Sequence, residues 1–182
     1  MNIILLNRDD FRNGVFERDN HKCVVCGKPA VDAHHIMERK LFSSGGYFLE
    51  NGASVCEQHH LESEMTKIST DELRKLAGID TIILPEHLYY DSKYDKWGNE
   101  ILPNGLRLKG ELFNDESVQK ILSQGNILHL FTDYIKYPRT LHFEWSPGMT
   151  SDDKMLRNTE QFEGKRVIMT EKMDGENSNL YH

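Results

Sequence analysis

Three cysteines and one histidine fall into two pairs of the same spacing, Cys23-x2-Cys26 in HKCVVCG and Cys56-x2-His59 in SVCEQHH, with 29 residues between the pairs. A ligand pair on a tight turn aims two donors at one point, and two such pairs complete a tetrahedral set. Thiolate and imidazole donors suit Zn2+ over Mg2+ or Ca2+. The spacing therefore predicts a structural zinc centre made of Cys23, Cys26, Cys56 and His59. Structural zinc supplies about 10–16 kcal/mol of apparent binding energy, a large contribution to a small core. The alternative is three buried cysteines and a hydrogen-bonded histidine.

With His59 assigned to zinc, its neighbour His60 is left over, as are His34 and His35 of VDAHHI and Asn51 in the stretch before Cys56. HKCVVCG, VDAHHI, Asn51 and CEQHH together resemble the HNH endonuclease family over about residues 8–70. The resemblance implies an α+β fold: a small ββα-metal core carried on a zinc knuckle scaffold. It also implies metal-dependent hydrolysis of phosphodiester bonds, in which a base deprotonates water and a cation stabilises the phosphorane and the leaving oxygen. On that basis His34 and His60 are ligands of a catalytic divalent cation, Mg2+ or another, and His35 is the general base. A neutral imidazole titrating near pH 7 suits that role. Asn51 orients the base or its loop, or reaches the metal. Glu64, one helical turn after His60, is a possible third metal donor.

The elements that must hold these residues are legible in outline. RDDFRNGVFERDN places Phe11, Val15 and Phe16 at helical spacing, weakened by Gly14. Cys-x-x-Cys-Gly reads as a knuckle between two short strands, and VDAHHIM as β-prone. Neighbouring side chains on a strand face opposite ways, so His34 and His35 are expected to do different jobs. FSSGGYFLENGAS reads as loop, VCEQHHLESEMTK as a turn opening a helix, and STDELRKLAG as a helix capped by Ser69 or Thr70 and stopped at Gly78. Residues 79–113 are aromatic and broken by Gly and Pro, predicting short strands or an irregular wrap. NDESVQKILSQG predicts a helix capped by Asn114 or Asp115.

Near the end, KYPRT, WSPG and SDD lead to Glu171-Lys172-Met173-Asp174-Gly175. Residues 137–182 resemble the N-terminal part of an ATP-dependent RNA ligase, in which the lysine matching Lys172 attacks the α-phosphate of ATP. The match stops at His182, before the strands that carry the remaining ligase carboxylates and lysines, so ligation by this chain alone is not expected. The organisation read from the sequence is a nuclease domain at 1–78, an irregular middle segment at 79–136, and a ligase-like fragment at 137–182.

Composition narrows the rest. At 182 residues with 38% hydrophobic and 28% charged residues, the chain suits a soluble globular protein. No apolar run reaches the roughly 20 residues needed to cross a bilayer, so no membrane partner is expected. An odd cysteine count fits metal binding in a reducing, cytoplasmic compartment better than a disulfide framework. A net charge of −7 excludes a histone-like, charge-driven binder but not a nuclease. The expected partner is nucleic acid: DNA, which the HNH resemblance favours, or RNA, which the ligase-like segment brings into view. Arg18, Arg39 and Lys40 are candidates for backbone phosphate contacts. Tyr89, Tyr90, Tyr94 and Trp97 fit the core of the middle segment better than base stacking. Two alternatives stand beside the nuclease reading: a zinc-knuckle nucleic-acid binding module with a vestigial site, and the nuclease part of a nuclease–RNA ligase repair protein.

Overall fold

Asn7 accepts a hydrogen bond from the Asp10 amide and starts helix α1 (Arg8–Arg18), which buries Phe11 and Val15 on its inner face. The computed structural model describes residues 3–133, 141–145, 154–156 and 158–166. The elements that follow α1 are β1 (Asp32–His35), β2 (Gly52–Val55), α2 (Glu57–Glu64), α3 (Thr70–Leu76), β3 (Lys93–Tyr94), β4 (Glu100–Ile101), β5 (Arg107–Leu108), α4 (Glu116–Gln124) and β6 (Phe131–Thr132). Short 3-10 turns lie at Arg39–Leu41, Leu49–Asn51, Leu128–Leu130 and Glu160–Phe162. The architecture is mixed α+β, with two sheets among the described residues. No helix in them is long and apolar enough to cross a membrane.

β1 and β2 form an antiparallel pair in which Asp32 faces Val55, His34 faces Ala53 and His35 faces Gly52. Gly-Ala-Ser-Val has weak strand propensity, and the loop expected here is instead a buried strand. Packing under α1 explains the difference. A Cβ on Gly52 would come within 2.4 Å of Val15 Cγ2 and 2.8 Å of the Phe11 ring, so α1 rests directly on the β2 backbone. Tertiary fit overrides local preference at such a site. Ser54 is tied to α1 as well, its hydroxyl donating to Val15 O and its amide to Asp19 Oδ2.

The two open helix caps resolve to Ser69, whose Oγ accepts from the Glu72 amide, and Asp115, which accepts from the Ser117 amide. Thr70 instead donates its hydroxyl to Tyr94 O, fastening α3 to the middle segment.

Residues after α3 wrap the first part of the chain. The second sheet has the order β3-β4-β5-β6, in two-residue strands, with β5 and β6 parallel. Asp95 organises the β3–β4 turn: its Oδ1 accepts from the Trp97 and Asn99 amides, and Arg107 Nη1 lies 2.9 Å from Oδ2. This turn presents two buried side chains to the elements beneath. Trp97 Nε1 donates to Glu64 O at 2.9 Å, and Lys96 Nζ donates to His35 O at 2.9 Å. Tyr94 packs with Met37, Leu41 and Ile83. Val118 and Leu122 of α4 close a further cluster with Trp97 and Phe113. Tyr89 and Tyr90, expected in this core, are exposed.

The chain divides into two compact units, Met1–Asp133 and Tyr134–His182. Within the second, His142 and Met155 form a parallel bridge, and Phe143 stacks on Trp145 with ring centroids 4.9 Å apart. Lys172 and the motif around it lie outside the described residues.

Candidate functional site

The knuckle Cys23–Gly27 is closed by the Gly27 amide donating to Cys23 O, with Gly27 at φ +73°, a conformation that costs glycine little. The Val24 amide donates to Ser54 O, which docks the knuckle on β2. Cys56 follows β2 directly and occupies the N-cap position of α2, so His59 follows within the first helical turn. These connections bring Cys23, Cys26, Cys56 and His59 together, each offering a ligand atom within 4.8 Å of the others. His59 Nδ1 lies 3.3 Å from both Cys23 Sγ and Cys56 Sγ, and Cys26 Sγ lies 3.8 Å from Cys56 Sγ. Tetrahedral zinc with bonds of about 2.3 Å to sulfur and about 2.0 Å to nitrogen requires separations of roughly 3.8 Å and 3.5 Å. The four residues are thus compatible with a zinc site. The His59 backbone amide also lowers the Cys56 thiol to about 7, favouring the thiolate a metal needs.

A second group assembles between β1 and α2. The two-residue period of β1 turns Asp32 and His34 toward α2, and Ala33 and His35 toward α1. Ala33 accordingly packs with Phe11 and Val15, while His35 stacks on Phe11 at 4.5 Å and meets the Tyr47 ring edge at 5.2 Å. On the other face, Asp32, His34 and His60 offer ligand atoms within 4.8 Å of one another. His60 Nε2 lies 3.3 Å from Asp32 Oδ2, and the His34 and His60 rings meet edge-on at 5.1 Å.

His34 and His60, singled out in the sequence, are therefore brought together. Glu64 lies beside them, its Oε1 3.5 Å from His34 Nδ1 and 3.7 Å from His60 Nε2. The same oxygen faces Lys96 Nζ at 3.2 Å, so Glu64 is shared with an ammonium group. Asp32 was missed. Its signal is its position two residues before His34, which puts both on one strand face.

His34 is 2% exposed, and its Nε2 is buried without a hydrogen-bond partner. The donor set beside it, one carboxylate and two imidazoles, fits a divalent cation. Burial, reinforced by the Lys96 and His60 charges, holds His34 neutral well below its ordinary range. His35 is likewise lowered, to about 4, first by burial and then by Lys96, with Glu38 opposing. It is neutral at pH 7, but the same burial makes it a weaker base than the imidazole titrating near 7 expected from the sequence, and its Nε2 is likewise buried without a partner.

Asn51 is 1% exposed and stands away from both clusters in function: its Oδ1 accepts from the Met37 amide, and its Nδ2 donates to Met37 O and Gly46 O. It fixes the 46–51 loop against the segment leaving β1. Arg18 pairs with Asp19 and donates to Leu49 O and Gly52 O, tying the end of α1 to β2. Lys40 pairs with Asp115 at 3.0 Å. Of the three basic residues named from sequence, Arg39 alone lines the cleft of about 240 Å³ into which His35 faces. Arg8 and Arg12 of α1 line it too, and sequence reasoning passed over both.

Comparison with known proteins gives no match: no family model fits the chain, and no curated protein or solved structure matches it.

Proposed function

We propose that the chain is a metal-dependent endonuclease of the HNH kind, hydrolysing phosphodiester bonds in nucleic acid, with DNA the favoured substrate. The observation that carries this reading is the division of labour across β1. Asp32 and His34 meet His60 of α2 on one face, while His35 turns its neutral ring into an arginine-lined cleft on the other. The order β1, β2, α2, with the Cys/His cluster at the base of α2, supports a ββα-metal core on a zinc scaffold. Cys23, Cys26, Cys56 and His59 would hold the zinc. Asp32, His34 and His60, with Glu64 beside them, would hold a divalent cation such as Mg2+. Bound there, that ion supplies charge stabilisation for the phosphorane and the leaving oxygen. His35 takes the proton from the attacking water, and Phe11 and Tyr47 fix the plane of its ring.

The test is cleavage of supercoiled plasmid and of structured RNA with Mg2+ or Mn2+, comparing wild type with His35→Ala. Cutting by the wild type that falls about 10²–10⁴-fold in the variant is the expected result. Equal absence of cutting by both proteins, on both substrates, refutes the reading.

One observation favours a second reading, a zinc-knuckle binding module with a vestigial nuclease site. Lys96 already satisfies Glu64, which leaves the second cluster one carboxylate short. Metal analysis separates the two. The nuclease binds a second, EDTA-labile ion that His34→Ala and His60→Ala each release, whereas the module retains zinc alone. The ligase-like segment gives a further possibility, the nuclease part of a nuclease–RNA ligase repair protein that uses ATP. A covalent AMP adduct on Lys172 supports it, and failure to trap one with a longer chain removes it.

A further inference from the structure

The cleft in front of His35 gathers positive charge in a chain whose net charge is −7. Arg8 and Arg12 are four residues apart on α1 and so share one side of the helix. Arg39 closes the cleft from the 3-10 turn after β1, and its Nη1 donates to the Tyr47 hydroxyl at 3.2 Å, which restrains the guanidinium. All three arginines are exposed. Arg8 has no ion-pair partner among the described residues, and Arg12 makes a long ion pair, 3.8 Å, with Asp32, donates to Val31 O at 3.4 Å and lies over the Phe16 ring. Asp32 lines the cleft with the three arginines, and it, Asp10 and Glu38 each have a further partner. Asp10 accepts from Asn7 Nδ2, Asp32 faces His60, and Glu38 faces Lys96.

We propose that Arg8, Arg12 and Arg39 form the seat for the phosphate backbone of the bound nucleic-acid strand, setting one phosphodiester against His35. This rests on the nuclease reading and adds to it a binding subsite on the α1 side of β1. Guanidinium groups match phosphate oxygens in geometry as well as charge. Three on two elements, around a cleft walled by Phe11 and Tyr47, define a track along which a polyanion can lie. Asp32 borders the cleft on one side and the His34–His60 cluster on the other. The cleft and the candidate ion site thus adjoin at Asp32. Such contacts carry no base preference, so the seat binds any sequence.

The experiment measures binding separately from cutting. Full-length His35→Ala protein serves as the parent, and its affinity for a short fluorescein-labelled duplex is read by anisotropy across a series of salt concentrations. Arg8→Gln, Arg12→Gln and Arg39→Gln are each expected to weaken binding about five- to tenfold near 0.1 M salt. Each should also reduce the slope of log K against log salt by about 1. The matching lysine variants should recover most of the slope, which a merely structural role would not produce. Lys120→Gln on α4 should change neither quantity. A triple glutamine variant with the parent's affinity and slope overturns the proposal, as does a parent that binds no nucleic acid. If wild type cuts plasmid while the triple variant still binds like its parent, the seat fails and the nuclease reading stands.

Discussion

The Lys96 ammonium donates to the main-chain oxygen of His35 at 2.9 Å while standing 3.2 Å from Glu64 Oε1 and 3.3 Å from Glu38 Oε2. One buried charge from the middle segment thus joins the end of β1 to the end of α2.

Lys96→Met should be strongly destabilising. The substitution keeps much of the volume but leaves Glu38 and Glu64 facing each other's charge in a largely buried place. Removing one partner of a buried ionic group costs about 3–5 kcal/mol. A denaturant titration at neutral pH should show that loss. Calorimetric titration with Mn2+ should show tighter second-ion binding in the surviving folded fraction, because Glu64 is released from the ammonium.

Zinc removal should unfold the region around α2 and the knuckle. Cys26 is exposed, so Cys26→Ser perturbs packing little but removes one of four ligands. Elemental analysis should find the variant's zinc content well below one per chain, and its melting transition should fall to that of the chelator-treated wild type. A variant that melts like the zinc-loaded protein would contradict the metal assignment.

Gly52→Ala should lose about 1–3 kcal/mol through overpacking, since the added methyl meets Val15 and Phe11 at less than contact distance. Val15→Ala in the same chain should recover part of the loss. Melting temperatures of the two single variants and the double variant would show it as a non-additive pair.

Asp115→Asn should give a pH-dependent penalty. The Ser117 hydroxyl, then Lys40, hold the Asp115 carboxyl well below the usual carboxylate range. A depressed folded-state value stabilises the protein above the ordinary carboxylate pKa of about 3.9, and the contribution fades as pH falls toward the folded value. Asparagine preserves the cap on α4 but not the charge. The variant should therefore melt below wild type at pH 7, and the gap should narrow steadily toward pH 3.

Much of the clustering was legible because pairs of candidate ligands write themselves into spacing. Cys23, Cys26, Cys56 and His59 needed only two x2 gaps, and β1 alternation separates His34 from His35 in the structure as in the sequence. Asp32 was equally local, but a single aspartate at the start of a strand has the same sequence signature as a solvated carboxylate. Lys96 could not be found that way. It reaches His35 across 61 positions, through a turn built by Asp95, and nothing in KWGNE reports where that turn will dock. Gly52–Val55 hid for a related reason: its strand character comes from α1 lying on it. The arginine cleft likewise joins α1 to the turn after β1, two segments far apart in the chain.

His59 and His60 are neighbours on the first turn of α2, separated by the roughly 100° that one helical residue provides. One rigid rod thus carries a donor for each cluster, and their relative bearing is set by a single peptide unit. The protein can therefore absorb insertions at the exposed Ser43–Ser44, where the chain only has to return. It cannot absorb one between Cys56 and His59. A single added residue there would swing every later donor about a third of a turn, and both clusters would fail at once.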